Sequence, residues 1–393
     1  MGQVDSREGR TRARRIVGAL AISQTVGYGT LYYAFAVFLA PLATDLHTST
    51  TAVTGTFTAS VLTSAALAVP VGRRLDRHGG RALMTVGSLA GALLLVAWSQ
   101  VDSLWQLYAV QIGIGAASAA SLYEAAFAVV IAWHSPGRRS NALLALTVVA
   151  GFASTVFLPL TGWLVEHQGW RAALLVLAAI QGLLTVPLHA FALRPAPARH
   201  PRTSPGHAPV KAVLADRVFW LLAISFTANT AAISVLTVHL VAALTSWGHS
   251  GTFAASTAGL FGILSVTGRL ATTGLQRRYR LTTVVAAIFA VQGAAVASLP
   301  LFGRSAIAAI LAVIGFGLGF GVATIAKPVL LADRYDTRRY ATIAGILVIP
   351  VTIAKAAAPL GAAALHGQSG GYTSVFAATA VVCAVAALAI ASA

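Results

Sequence analysis

Four ionisable side chains stand inside long apolar stretches of this sequence: Glu124, Arg269, Lys327 and Lys355. A charge in hydrocarbon is costly unless it faces a partner or a wet cavity, so each is a candidate for binding or ion movement. Three cations against one carboxylate would draw an anion into a shared cavity, and the carboxylate could carry a proton. Bond-making chemistry has no support. The sequence holds no nucleophile elbow, no His or Cys cluster with metal-ligand spacing, and no Gly-x4-Gly-Lys loop to cradle a nucleotide. An enzyme is therefore not expected, nor is a cofactor or a metal.

Each of the four has a plainer reading. Arg269 lies five residues before Gly274, about 8 Å along a helix, so its guanidinium could reach out to the polar end. Lys327 precedes Pro328 and could do the same. Lys355, fourteen residues or about 21 Å into its stretch, is too deep for that, which leaves a cavity or a buried pair. Glu124 shares a helical face with Ser121. It could bind, titrate, or only pair with Lys327. A possible wall of the site is Gln24, Tyr28 and Tyr32, spaced i, i+4, i+8 on one face, with phenol groups able to donate to a carboxylate. Tyr123 should point about 100° away from Glu124.

The elements that would position these residues are helices in a membrane. The chain has 393 residues, 57% of them hydrophobic and 9% charged; an average soluble domain carries roughly 25% charged. Apolar runs of about 20 residues can cross a bilayer as helices. Twelve are present, near 16–42, 52–72, 82–99, 105–132, 141–165, 171–193, 217–245, 252–274, 281–300, 305–332, 341–366 and 371–393. The net charge of +17 would suit nucleic acid if the basic residues clustered, but they recur in short groups between runs, and no nucleic acid is expected as partner. Of the 27 Lys and Arg, 22 fall in the N-terminal segment and the loops after even-numbered runs, while the opposite loops hold only Arg171 and Arg304. That bias places the N-terminus, the even loops and the C-terminus in the cytoplasm of a multi-pass protein of the cytoplasmic (inner) membrane. The first run is too long for a signal-peptide core. The single cysteine, Cys383, rules out an internal disulfide.

An offset near 200 residues relates the two halves: Ile22-Ser23-Gln24-Thr25 returns as Ile224-Ser225-Phe226-Thr227, Arg138-Arg139 as Arg338-Arg339, and Pro159 as Pro359. The expected organisation is a basic N-terminus over 1–15, a six-helix half over 16–193, a proline-rich linker over 194–216 and a second half over 217–393, with a site near the midplane where such halves meet.

The loop Gly72-Arg73-Arg74-Leu75-Asp76-Arg77-His78-Gly79-Gly80-Arg81 resembles the signature loop of the major facilitator superfamily. With the twelve runs, the repeat and the linker, the resemblance covers almost the whole chain and implies an all-α membrane fold of two pseudo-symmetric six-helix halves. The motif works as a gating latch formed by Gly72, Asp76, Arg77 and Arg81. The glycine allows close helix approach, and the carboxylate can sit at a neighbouring helix N-terminus while pairing with loop arginines. Its counterpart, Gly274 to Arg280, has no acid.

The first run, Gly27-Tyr28-Gly29-Thr30-Leu31-Tyr32-Tyr33 through Pro41-Leu42, is similar to the first helix of the monocarboxylate porters and oxalate:formate antiporters. In those families an arginine in the eighth helix meets the substrate carboxylate, and Arg269 stands in the matching place; a lysine in the eleventh matches Lys355. Many porters carry an aspartate four residues before that arginine as the proton site, where this chain has Ser265. The resemblance implies a monomeric secondary transporter of a small mono- or dicarboxylate, with membrane lipid around it and protons as a possible co-substrate. A drug/proton antiporter exporting hydrophobic or cationic compounds is the alternative. Its glycine-proline signature is only half met by Leu158-Pro159.

Overall fold

The structure is a computed structural model that describes residues 7–193, 210–335 and 337–393. Most of the expected linker, 194–209, lies outside the described residues, as do 1–6 and 336. Every described element is helical, and each of the twelve apolar runs falls on a helix. Ten segments among the described residues are long and apolar enough to cross a membrane. One of them, Pro136–Ala192, has 57 residues, more than twice the ~20 needed for one crossing, and is broken at Gly169, whose φ of 77° takes it out of the helix. Gly251–Leu275 is a further helix of 25 residues. Together these accommodate twelve spans, numbered here in chain order.

By internal contact the chain forms two compact units. One comprises Met1–His207 with Leu331–Ile349, the other Ala208–Leu330 with Pro350–Ala393. The first is packed around Phe35, Phe38, Trp98, Phe157 and Leu174 from spans 1, 3, 5 and 6. Polar ties cross the same helices. The His189 ring of span 6 bonds Ser88 Oγ of span 3 at 2.7 Å and Ser23 Oγ of span 1 at 2.8 Å. Arg171, at the start of span 6, holds Asp45, Asp102 and two carbonyls at the far helix ends. Buried polar groups in a membrane helix need such partners because lipid offers none. The second unit is packed around Leu236, Phe261, Val296, Phe316 and Phe376 from spans 7 to 10 and 12.

Three spans are not simple α-helices. Span 1 runs Arg7–Tyr28, then a π-helical turn Gly29–Tyr33, then Phe35–Asp45. Span 4 is Leu104–Ser121 followed by Tyr123–Trp133, separated by Leu122 in an extended conformation. Span 10 is Ala306–Gly317 and Val322–Arg334, separated by a tight turn. Span 7, the repeat counterpart of span 1, is one unbroken helix, Arg217–Ser246.

Candidate functional site

In the first unit the site residues gather around the break in span 4. Gln24 is fully buried and its Nε2 donates to the Ser121 carbonyl at 2.9 Å, the last residue before the break. Its amide thus supports the interruption, whereas Tyr28 and Tyr32 are half-buried. Gly27 lets the two spans close up, since a Cβ there would fall 2.8 Å from Leu122 Cδ2. Past the break, Glu124 lies in the first turn of the half-helix Tyr123–Trp133, where the helix dipole favours a negative charge. Tyr28 stands over Tyr123 with ring centroids 4.4 Å apart, and lies 5.9 Å from Tyr32 and 6.4 Å from Tyr33. Glu124 is an electrostatic neighbour of Tyr28 and of Tyr340, whose buried hydroxyl has no hydrogen-bond partner among the described residues.

Tyr33 and Tyr123 escape an argument from α-helical spacing for separate reasons. In an α-helix Tyr33, five residues after Tyr28, would sit about 140° away. The π turn, closed by Ala34 N–H on the Gly29 carbonyl at 3.0 Å, brings an i+5 residue onto the same face. Tyr123 begins the half-helix after the extended Leu122, and its ring stands against that of Tyr28. The glycines were the readable signal at the π turn. At Gly29 a Cβ would lie 2.2 Å from the Phe157 ring, so no larger residue fits against span 5.

In the second unit Arg269 of span 8 is only 8% exposed. Its side chain lies against the break in span 10: a Cβ on Gly321 would be 2.7 Å from Arg269 Cγ and 2.8 Å from its Nε. Glycines press the two spans together elsewhere as well. A Cβ on Gly268 would fall 1.9 Å from the Leu318 carbonyl oxygen, and one on Gly317 2.5 Å from Leu264 Cδ1. From span 9, Gln292 donates to the Phe316 carbonyl at 2.9 Å, satisfying a group that the interrupted helix leaves over. Burial against the break means that Arg269 does not reach out to the loop. Lys327 is also buried, in the half-helix that follows the break, whereas Lys355 of span 11 is exposed between Pro350 and Pro359. Breaks in spans 4 and 10 occupy corresponding places in the repeat.

The latch motif is built within the first unit. Asp76 accepts from the backbone N–H of Ala341 at 3.0 Å and of Thr342 at 2.8 Å, and from the Thr342 hydroxyl, all at the N-terminus of the span 11 helix Tyr340–Ser369. Gly72 and Gly345 make the crossing possible, because a Cβ on either would meet backbone of the other helix at 2.3 and 2.5 Å. Arg77 is exposed, and Arg81 donates to the Ala190 carbonyl at 2.7 Å, tying span 3 to span 6. The carboxylate therefore spends its oxygens on a helix start and not on the loop arginines Arg77 and Arg81, of which Arg81 bonds a different helix. A second tie was hidden among residues read only as topology anchors. Buried Arg139 pairs with Asp333 at 3.0 Å and donates to the carbonyls of Ala332 and His134.

Comparison with known proteins agrees with this architecture. A family model described as Major Facilitator Superfamily matches residues 20–349. Over 180 residues, 45% of this chain, it is 29% identical to an MFS-type efflux pump of Mycolicibacterium smegmatis; over 209 residues, 51% of this chain, it is 32% identical to monocarboxylate transporter 13 of Bos taurus. The matched stretches span 41% and 47% of those relatives, less than half of each. Among solved structures, the human organic anion transporter MFSD10 (TETRAN) superposes with a TM-score of 0.74 at 17% identity, covering 96% of this chain and 99% of that one. The E. coli fucose:proton symporter FucP superposes with a TM-score of 0.72 at 13% identity, covering 96% of each. Such identities speak for the fold alone. With the family model covering most of its length and every described element helical, the chain belongs to the major facilitator superfamily of membrane transporters.

Proposed function

We propose that this transporter carries a small organic anion, a mono- or dicarboxylate, by alternating access. The observation that supports this most is Arg269, buried beside the span 10 break, in a unit whose spans also hold Lys327 and Lys355. A guanidinium held there offers a carboxylate two parallel donors. The names of the bovine relative and of the human structural neighbour point the same way. The test is a thermal-shift panel on the purified chain, because a ligand that binds the folded state at 100 times its Kd adds about 2.7 kcal/mol of stability. A carboxylate should stabilise the unaltered protein. Arg269→Gln and Lys355→Gln should abolish that stabilisation, each costing about 2 to 5 kcal/mol of binding energy, and Arg269→Lys should weaken it. Normal binding and transport by both neutral variants would overturn the assignment. Stabilisation by lipophilic cations instead would favour the efflux reading, which the mycobacterial relative's name supports.

Glu124 is the proposed proton carrier, since it is the acid set among the span 1 phenols and Ser265 cannot titrate. Glu124→Gln should then lose accumulation driven by external acid yet keep counterflow of the same substrate. Loss of both, or of neither, would leave it a structural role. We further propose that the protein lies in the cytoplasmic membrane with its arginine-rich helix ends inside, following the positive-inside rule. Because Cys383 is buried, introduced cysteines report cleanly. In intact cells an impermeant thiol reagent should label Asp102→Cys and Ser250→Cys but spare His78→Cys; the reverse pattern would invert the topology.

A further inference from the structure

We propose that the second unit carries a binding site for one anionic phospholipid, with its headgroup on Arg277, Arg278 and Arg280 and an acyl chain in the groove beside them. The groove has a volume of about 330 Å³ and is lined by Leu275 at the end of span 8, Tyr279 in the following loop, Thr283, Ala287 and Val291 along span 9, and Leu318 at the span 10 break. It is apolar and open to the outside of the helix bundle: Leu275 is 44% exposed, Tyr279 59% and Val291 49%. From Thr283 to Val291 is about 12 Å of helix, most of the ~15 Å that one leaflet contributes to the hydrocarbon layer. The occupant of such a groove in a membrane is a hydrocarbon chain.

Charge identifies the headgroup. Arg277, Arg278 and Arg280 are all exposed at the loop end of the groove, the segment 276–280 contains no acid, and none of the three forms an ion pair among the described residues. Three cations at the mouth of an apolar channel complement a phosphate joined to an acyl chain, and basic pockets between membrane helices recognise anionic headgroups in this way. Tyr279 between them has the amphipathic ring favoured at the headgroup level. The groove ends on Leu318, whose carbonyl oxygen faces Gly268. A chain seated there would brace the turn against which Arg269 packs.

The experiment is native mass spectrometry of the full chain, purified with equal phosphatidylglycerol and phosphatidylcholine, counting lipid retained after detergent removal. The unaltered protein should retain one phosphatidylglycerol in preference to phosphatidylcholine. Replacing the three arginines by Gln should weaken phosphatidylglycerol by about fivefold per arginine and leave phosphatidylcholine unchanged. Ala287→Phe, which fills the groove, should lower phosphatidylglycerol with the arginines intact. Changing Arg73 and Arg74 to Gln in the loop after span 2 should leave the retained lipid in place. Equal retention of the two lipids by the unaltered protein would overturn the proposal, as would an undiminished adduct in the arginine variant or an equal loss in the Arg73 and Arg74 control. The arginine substitutions lie in an exposed loop, so the test stands even if Ala287→Phe fails to fold.

Discussion

The loops after spans 2 and 8 descend from the same place in the repeat and do opposite things. After span 2, Gly72 lies against the Ala341 carbonyl and Asp76 holds the N-terminus of span 11. After span 8, Gly274 has no atom within 4 Å of where its Cβ would stand, and the loop offers three exposed arginines and no acid. One carboxylate separates the two. A lone acid at a helix start makes charge-assisted bonds to backbone N–H groups and fixes two helices together; the loop that lacks it keeps its charges for the membrane surface.

Three substitutions test that contrast. Asp76→Ala should have the largest effect, since it removes three hydrogen bonds and a charge from the start of span 11, a loss of about 3 kcal/mol read as a lower melting temperature in detergent. Gly72→Ala should follow at about 2 kcal/mol, because its new methyl meets backbone, which cannot rotate away. Gly274→Ala should be the mildest and of opposite sign, raising stability by up to about 1 kcal/mol as a helical glycine is replaced where space is free. Equal destabilisation by the two glycine changes would mean that the loops are not as different as their surroundings indicate.

What the sequence made legible follows from how strongly each feature is written into composition. The spans could be read because lipid demands about twenty apolar residues at a time, and Asp76 because its loop resembles the signature loop of the superfamily. The break in span 10 was readable in principle from Gly315, Gly317, Gly319 and Gly321, which weaken a helix together. Nothing comparable marks Leu122: Ser121-Leu122-Tyr123 contains neither glycine nor proline, and the interruption depends on Gln24 reaching across from span 1. Arg139 was hidden for the converse reason. Its type and place suit a topology anchor, and only the approach of residues 332 and 333, nearly two hundred positions away, turns it into a buried tie. Long-range partners of that kind leave no local trace.

The π turn of span 1 has a consequence for how this protein tolerates changes in length. In an α-helical membrane span the loss of one residue near its middle turns all that follows by about 100°. Here the five residues Gly29–Tyr33 form a turn wider by one residue than an α-helix would use, closed by the bond from Ala34 to Gly29. Deleting one residue within this turn would instead restore ordinary helical geometry and leave all that follows close to its present orientation. Phe35, Phe38 and Leu42 would stay buried in the first unit, and Tyr33, then four residues after Tyr28, would keep the face it shares with it. Between Gly29 and Ala34 this span can therefore lose one residue with little change in the packing beyond it, whereas a deletion within the α-helix Phe35–Asp45 should turn the residues that follow out of the core.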